Sequence, residues 1–151
     1  MKQLNMLLLE SGIKNFSAPE LTKGMSVPEE YHANIVPTLI LLQSIRDYLG
    51  RPIRINSAYR TPEFNKSLGG KADSMHLLFN AIDFKPKGFT SEDLVKLTED
   101  IEDNKFATMT LWFGKLITLT PEMLGIGLYD NFIHLDTRGL LNKKSPARWI
   151  K

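Results

Sequence analysis

Apolar residues along the chain switch between two periods, and the switches lay out helices alternating with short strands. Leu4, Leu7 and Leu8 share one face of a predicted helix over residues 3 to 11, with Gly12 as its stop. Ser17-Ala18-Pro19-Glu20 has capping-box spacing, with Ser at the cap, Pro two residues in and Glu at the third helical position. That helix is short because Gly24 follows. The longest helical stretch runs from Glu29 to Leu49, where Ile35, Leu39, Leu42, Ile45 and Leu49 recur at helical spacing. Pro37 lies inside it, and either kinks the helix or marks its true start. His32, at the polar beginning, reads as a solvated or capping side chain.

Beyond Arg51-Pro52 the period shortens. Ile53 to Arg60 alternates as a strand does, and Thr61-Pro62 then caps and opens a short helix that Gly69-Gly70 ends, beginning a loop to Ser74. Asn80 to Phe84 predicts a strand stopped by Pro86 and Gly88. Thr90 or Ser91 caps a helix reaching about Asn104, with Leu94, Val95, Leu97 and Ile101 inward and its acidic residues in solvent. Phe106 to Leu119, broken at Gly114-Lys115, predicts a hairpin. Gly125 to Tyr129 and Phe132 to Thr137 predict two strands joined by an Asp130-Asn131 turn. The basic tail from Lys143 to Lys151 reads as a solvated end anchored by Trp149. No repeat, low-complexity segment or linker interrupts the chain.

Composition narrows the function classes. A length of 151 residues predicts a single domain over 1–151, and 42% hydrophobic with 24% charged residues is ordinary for a globular protein. A net charge of +2 gives no argument for nucleic acid. With no cysteine, neither a disulfide nor a thiolate metal site can form. The apolar run in Met1 to Glu10 is interrupted by Asn5 and ended by Glu10, too short for a secretory core of ~7–15 residues. Nothing approaches the ~18 apolar residues of a membrane span. The expectation is a protein made in the cytoplasm without a signal peptide and without membrane insertion.

Two short segments carry chemistry. Ser74-Met75-His76-Leu77-Leu78-Phe79-Asn80-Ala81-Ile82-Asp83-Phe84 places one of only three histidines seven residues before an aspartate in an apolar run. A charge there is costly unless something pairs with it. Phe132-Ile133-His134-Leu135-Asp136 repeats the pattern. Two histidines and a carboxylate are the ligand set of a catalytic zinc, with the fourth position open to water. In a continuous strand, residues seven apart face opposite ways, so the chain must turn between His76 and Asp83. His134 and Asp136, two apart, share a face. Spacing alone leaves a metal site and a buried hydrogen-bonded His-Asp couple equally open.

Ser57-Ala58-Tyr59-Arg60-Thr61-Pro62-Glu63-Phe64-Asn65, Gly69-Gly70, Ser74-Met75-His76 and Ala81-Ile82-Asp83 closely resemble the zinc D-Ala-D-Ala carboxypeptidases. That family includes the VanX-type D,D-dipeptidases and the L-alanyl-D-glutamate endolysins of phages. Gly125 to Tyr129, Phe132 to Arg138 and Ala147-Arg148-Trp149 continue the resemblance, which covers the chain from about Phe16 onward. It implies an α+β fold with helices packed on a small antiparallel sheet, as in hedgehog and D,D-peptidase domains.

The resemblance also implies roles. His76, Asp83 and His134 are expected as zinc ligands, Arg60 near the substrate's carboxylate or scissile carbonyl, and Ser74 bonding substrate or a ligand. The expected function is a zinc metallopeptidase acting on peptidoglycan stem peptides, as a D,D-carboxypeptidase or endopeptidase. A monomeric phage or prophage lysis protein acting on the cell wall would suit it. Many members carry Asp or Glu three residues before the last ligand as general base, where this chain has Asn131. Asp130 and Asp136 are the nearby carboxylates. Asp136 is the preferred catalytic candidate because it shares a face with His134, with orientation of that histidine as its other role. A second reading, a zinc-containing cell-wall binding module impaired in catalysis, follows from Asn131. Phe79 stands where the family has Gly, and is expected to avoid a positive backbone dihedral and to narrow the cleft. Tyr129 and Trp112 are candidates for a substrate groove or for core aromatics.

Overall fold

Local signals act where the sequence places them. Ser17 and Glu20 exchange side-chain and backbone hydrogen bonds at the start of the helix over Ala18–Thr22, and Thr90 and Asp93 do the same at the start of the helix over Ser91–Glu102. Pro37 proves to be a start signal: a 3-10 segment over Glu29–Ile35 gives way to a helix at Val36, with the proline in its first turn.

The computed structural model describes residues 2–151, so Met1 of the expected 1–151 domain lies outside the described residues. The helices are α1 (Lys2–Glu10), α2 (Ala18–Thr22), α3 (Val36–Leu49), α4 (Pro62–Ser67) and α5 (Ser91–Glu102). The strands are β1 (Ile53–Ser57), β2 (Ala81–Pro86), β3 (Thr108–Trp112), β4 (Lys115–Leu119), β5 (Gly125–Leu128), β6 (Ile133–Asp136) and β7 (Ala147–Ile150). Strands β3 and β4 form the predicted hairpin as a separate two-stranded sheet, packed through β3 on α3.

The main sheet runs β1-β2-β6-β5-β7. Its pairs are antiparallel except at one edge, where β7 lies parallel to β5. The tail expected in solvent is therefore a strand of the sheet, and Trp149 pairs in register with Gly127. Val95, expected inward, is exposed on α5, whereas Leu94, Leu97 and Ile101 are buried.

One face of the sheet is apolar. Ile53, Ile55, Ile82, Phe84, Ile126, Ile133 and Leu135 join a single buried cluster with residues of α1, α3 and α5. At ~1.5–3 kcal/mol per buried side chain, these seven contribute on the order of 10–20 kcal/mol. A register slip of one residue would turn them outward. The apolar face thereby fixes what the opposite face presents. Among the described residues no helix is long and apolar enough to cross a membrane.

Candidate metal centre

The polar face carries one row of residues across all five strands: Ser57, Asp83, His134, Gly127 and Trp149 are register partners in turn. Asp83 and His134 are therefore direct cross-strand neighbours. His76 reaches them from a 3-10 turn over Met75–Leu78 that precedes β2. Ser74 caps that turn, its hydroxyl accepting the His76 N–H at 3.2 Å. The backbone N–H of Arg60 donates to the His76 carbonyl at 3.2 Å. Phe79 ends the turn in the left-handed region, at φ 54. This reverses the expectation for Phe79. It adopts the positive dihedral, at a cost of roughly 1–2 kcal/mol. Its ring is wholly buried against Tyr59 in the core instead of narrowing a cleft.

His76, Asp83 and His134 are brought together, with one donor atom from each lying within 4.8 Å of the others. His76 Nε2 is 3.1 Å and His134 Nδ1 2.9 Å from Asp83 Oδ1. Ligand atoms around a tetrahedral zinc with bonds of ~2.0–2.1 Å lie about 3.3 Å apart, so the set has nearly the spacing such an ion requires. All three side chains are more than nine-tenths buried.

The outer nitrogens fix the ring chemistry. His76 Nδ1–H donates to the Ala58 carbonyl at 2.6 Å, since a carbonyl only accepts. Burial lowers the His76 pKa and favours the neutral ring, against the opposing pull of Asp83. Nε2 of that neutral ring has no proton, so a lone pair faces an Asp83 oxygen. Two acceptors in contact call for a cation between them. His134 is held from both sides: burial lowers its pKa, but the contacts with Asp136 and Asp83 outweigh this and raise it. Its Nε2–H donates to Asp136 Oδ2 at 2.7 Å, leaving Nδ1 turned to the centre. Burial alone would raise the Asp83 pKa, yet its contacts with His134 and His76 hold it well below the usual carboxylate range. One anion and two imidazole nitrogens aimed at one point fit a divalent metal of the zinc type.

Other side chains hold this set in place. Asp136, the sequence's candidate for proton acceptor, has a fully buried side chain with both oxygens taken. Oδ1 accepts from the Gly125 and Arg138 backbone N–H groups, each at 3.1 Å, and from Arg138 Nε at 2.9 Å. Oδ2 accepts from His134 and from Arg138 Nη2 at 2.8 Å. That is the placement of a partner that orients His134, not of a base open to solvent water. Asp130 and Asn131 lie exposed in the β5–β6 turn. Arg60 donates from Nη2 to Asp83 Oδ2 at 3.2 Å, from Nε to Ser57 at 3.1 Å and from Nη1 to Asn65 at 3.3 Å. Its guanidinium is at the rim, with 15% of the side chain exposed. Ser74 is half-buried at the same turn, and Trp112 lies away on β3, its ring against Phe113.

Sequence reasoning missed three members of this site. Asn65 is buried and braces Arg60, and a Cβ on Gly70 would come within 2.1 Å of its Oδ1. Arg138 grips Asp136 and packs over the Trp149 ring. Trp149 crosses Gly127, where a Cβ would meet its indole at 2.3 Å, and stands 4.9 Å from the His134 ring. Its Nε1–H donates to the Tyr129 hydroxyl at 3.0 Å. The usable signal was the Gly125-x-Gly127 alternation, which marks two positions on one strand face where side chains from elsewhere must fit.

A family model described as Peptidase M15 matches residues 11–136, a span that contains His76, Asp83 and His134. A search of curated proteins gives no match.

Proposed function

We propose, from the premise that this chain belongs to the Peptidase M15 family, that it is a zinc metallopeptidase hydrolysing peptide bonds in peptidoglycan stem peptides. The cleaved bond would be a terminal one for a D,D-carboxypeptidase or an internal one for an endopeptidase. The observation that carries the reading is the convergence of His76 Nε2 and His134 Nδ1 on one oxygen of Asp83, with all three side chains buried. A divalent ion held by His76, Asp83 and His134 supplies Lewis acidity, polarising a peptide carbonyl and acidifying water.

The chain's own residues do the rest. Asp136, clamped by Arg138, holds His134 with Nδ1 forward. Arg60 fixes the unshared oxygen of Asp83 and offers its remaining exposed edge to a developing carbonyl oxyanion or a terminal carboxylate. The Tyr129 hydroxyl accepts from Trp149, so its own proton is free to donate to a peptide carbonyl. Ser74 presents a hydroxyl beside His76. The resemblance to phage endolysins supports a lytic role as a monomer at the cell wall.

Asn131 and the enclosed Asp136 favour a second reading, a binding module that keeps the metal without the hydrolysis. Incubation of the zinc-loaded protein with peptidoglycan fragments, with and without chelator, separates the two by mass spectrometry. Chelator-sensitive release of amino acids or shortened stem peptides supports the peptidase. Zinc retained at one ion per chain with no cleavage of any stem peptide supports the module. Zinc at 100 times its Kd adds ~2.7 kcal/mol to stability. At ~2–4 °C per kcal/mol for a chain of this size, the midpoint then rises by ~5–10 °C, and His76→Ala abolishes that rise.

A further inference from the structure

The polar face carries a second row beside the first. Arg54 on β1 and Lys85 on β2 are register partners, and Lys85 lies two residues along β2 from Asp83. Continuing the β2–β6 and β5–β6 registers past Phe84↔Ile133 and Leu128↔Ile133 brings Phe132 and Tyr129 into the same row. The Tyr129 N–H donates to the Phe132 carbonyl, and the two rings stack at 4.2 Å, 13° from parallel. Residues two apart on a strand are separated by about 7 Å and face the same way. The row is thus two cations followed by an aromatic platform, parallel to the metal row.

Like charges directly opposite on paired strands repel, so the pair is a cost to the free fold. Among the described residues neither Arg54 nor Lys85 takes part in an ion pair. Arg54 is exposed, and among the described residues its one side-chain bond holds Nε to Asn56 at 3.0 Å, which orients the fork and leaves both terminal nitrogens without a described partner. Arg60, by contrast, has bonds on all three of its nitrogens within the metal row. We propose that Arg54 and Lys85 form a carboxylate-binding subsite, which selects peptides bearing a free carboxylate about 7 Å from the scissile bond. The stacked Phe132 and Tyr129 rings carry the neighbouring apolar part of the same substrate. At ~3.3–3.6 Å per extended residue, that distance is about two residues of chain. This inference rests on the peptidase reading for its bond but not for its binding.

The test compares two synthetic peptides that differ only in a carboxylate or carboxamide two residues from the cleaved bond. Zinc-loaded wild type and the Arg54→Gln/Lys85→Gln variant are assayed for kcat/KM, and for binding by calorimetry with uncleaved analogues of the same pair. The wild type is expected to prefer the carboxylate at least tenfold, through KM and affinity. The variant is expected to fall within twofold of no preference while keeping its rate on the carboxamide. Its melting temperature should equal or exceed that of wild type, since a repulsive pair is removed, whereas a merely structural pair would lower it. Cleavage with no carboxylate preference overturns the subsite and leaves the peptidase standing. Binding preference that the variant loses, with no cleavage of either peptide, upholds the subsite and removes the peptidase. A preference that survives in the variant, or no binding of either analogue, overturns the subsite.

Discussion

Replacing Asp136 by Asn tests whether the proposed metal centre depends on a residue outside its ligand set. The carboxylate accepts five hydrogen bonds, two from Arg138 side-chain nitrogens, one from the Arg138 backbone, one from Gly125 and one from His134. An amide has one accepting oxygen. Whichever way it is turned, its NH2 meets at least two donors. Placed toward Oδ2, it confronts Arg138 Nη2 and His134 Nε2–H, and the imidazole relieves the clash by moving its proton to Nδ1, the atom facing the centre. Placed toward Oδ1, it confronts Gly125 and Arg138. Arg138 is only partly buried, so taking away its anion costs less than the ~3–5 kcal/mol of breaking a fully buried pair. A chain of 151 residues has roughly 8–20 kcal/mol in hand, so the variant should fold. Losing the partner of a ligating histidine typically lowers metal affinity 10–100-fold. Urea titration of the metal-free protein measures the first effect and chelator competition the second, while nitrogen NMR of the imidazoles reports the tautomer. An Asn variant that binds zinc within threefold of wild type, with His134 still protonated at Nε2, would refute the argument.

Phe79 sets two terms against each other. Phe79→Gly relieves a left-handed backbone worth about 1–2 kcal/mol and loses a buried ring worth about 3–5 kcal/mol, so a net loss near 2–3 kcal/mol is expected in urea unfolding. Phe79→Ala loses the ring without relief, and Gly should therefore be the more stable of the two by about 1 kcal/mol, the opposite of its usual rank. Gly70→Ala should displace Asn65 and with it Arg60, lowering kcat on stem peptides while zinc content stays at one per chain. Asp100 accepts from Lys105 and Lys96, and the Lys105 bond pulls its pKa down against the opposing effect of burial. A lowered folded pKa adds stability that is complete above the unfolded value and disappears as pH falls through the folded one. The melting-temperature gap between wild type and Asp100→Asn should accordingly be constant at neutral pH and close below about pH 4.

Much of the fold was legible because its signals are local. The capping box at Ser17 and the Asp130-Asn131 turn depend on residues within four positions of one another and form as the sequence predicts, and of Thr90 and Ser91 it is Thr90 that caps α5. The pairing of His134 with Asp136 on one face followed from strand alternation alone. What could not be read is what distant segments do to each other. The parallel β7 is set by packing of Trp149 across Gly127, a contact spanning 22 positions that no propensity encodes. Phe79 defied its backbone preference because the Tyr59 ring and the core reward its burial more than the dihedral costs. Asp136 shares a face with His134 as expected, but its availability depended on Arg138, whose side chain turns back on it.

The three residues proposed as metal ligands are not anchored alike. Asp83 and His134 stand on adjacent inner strands, and removing either from its place means opening the sheet. His76 stands on a four-residue turn kept in shape by the Ser74 hydroxyl, by backbone bonds from Arg60, Leu77, Phe79 and Asn80, and by the reversed dihedral after it. Fraying of that one turn would convert a tridentate pocket into a bidentate one while every strand stayed paired. Exchange of an ion held there would then have a route that bypasses unfolding, and its lifetime would follow the hydrogen-exchange protection of Met75–Leu78 rather than the stability of the domain.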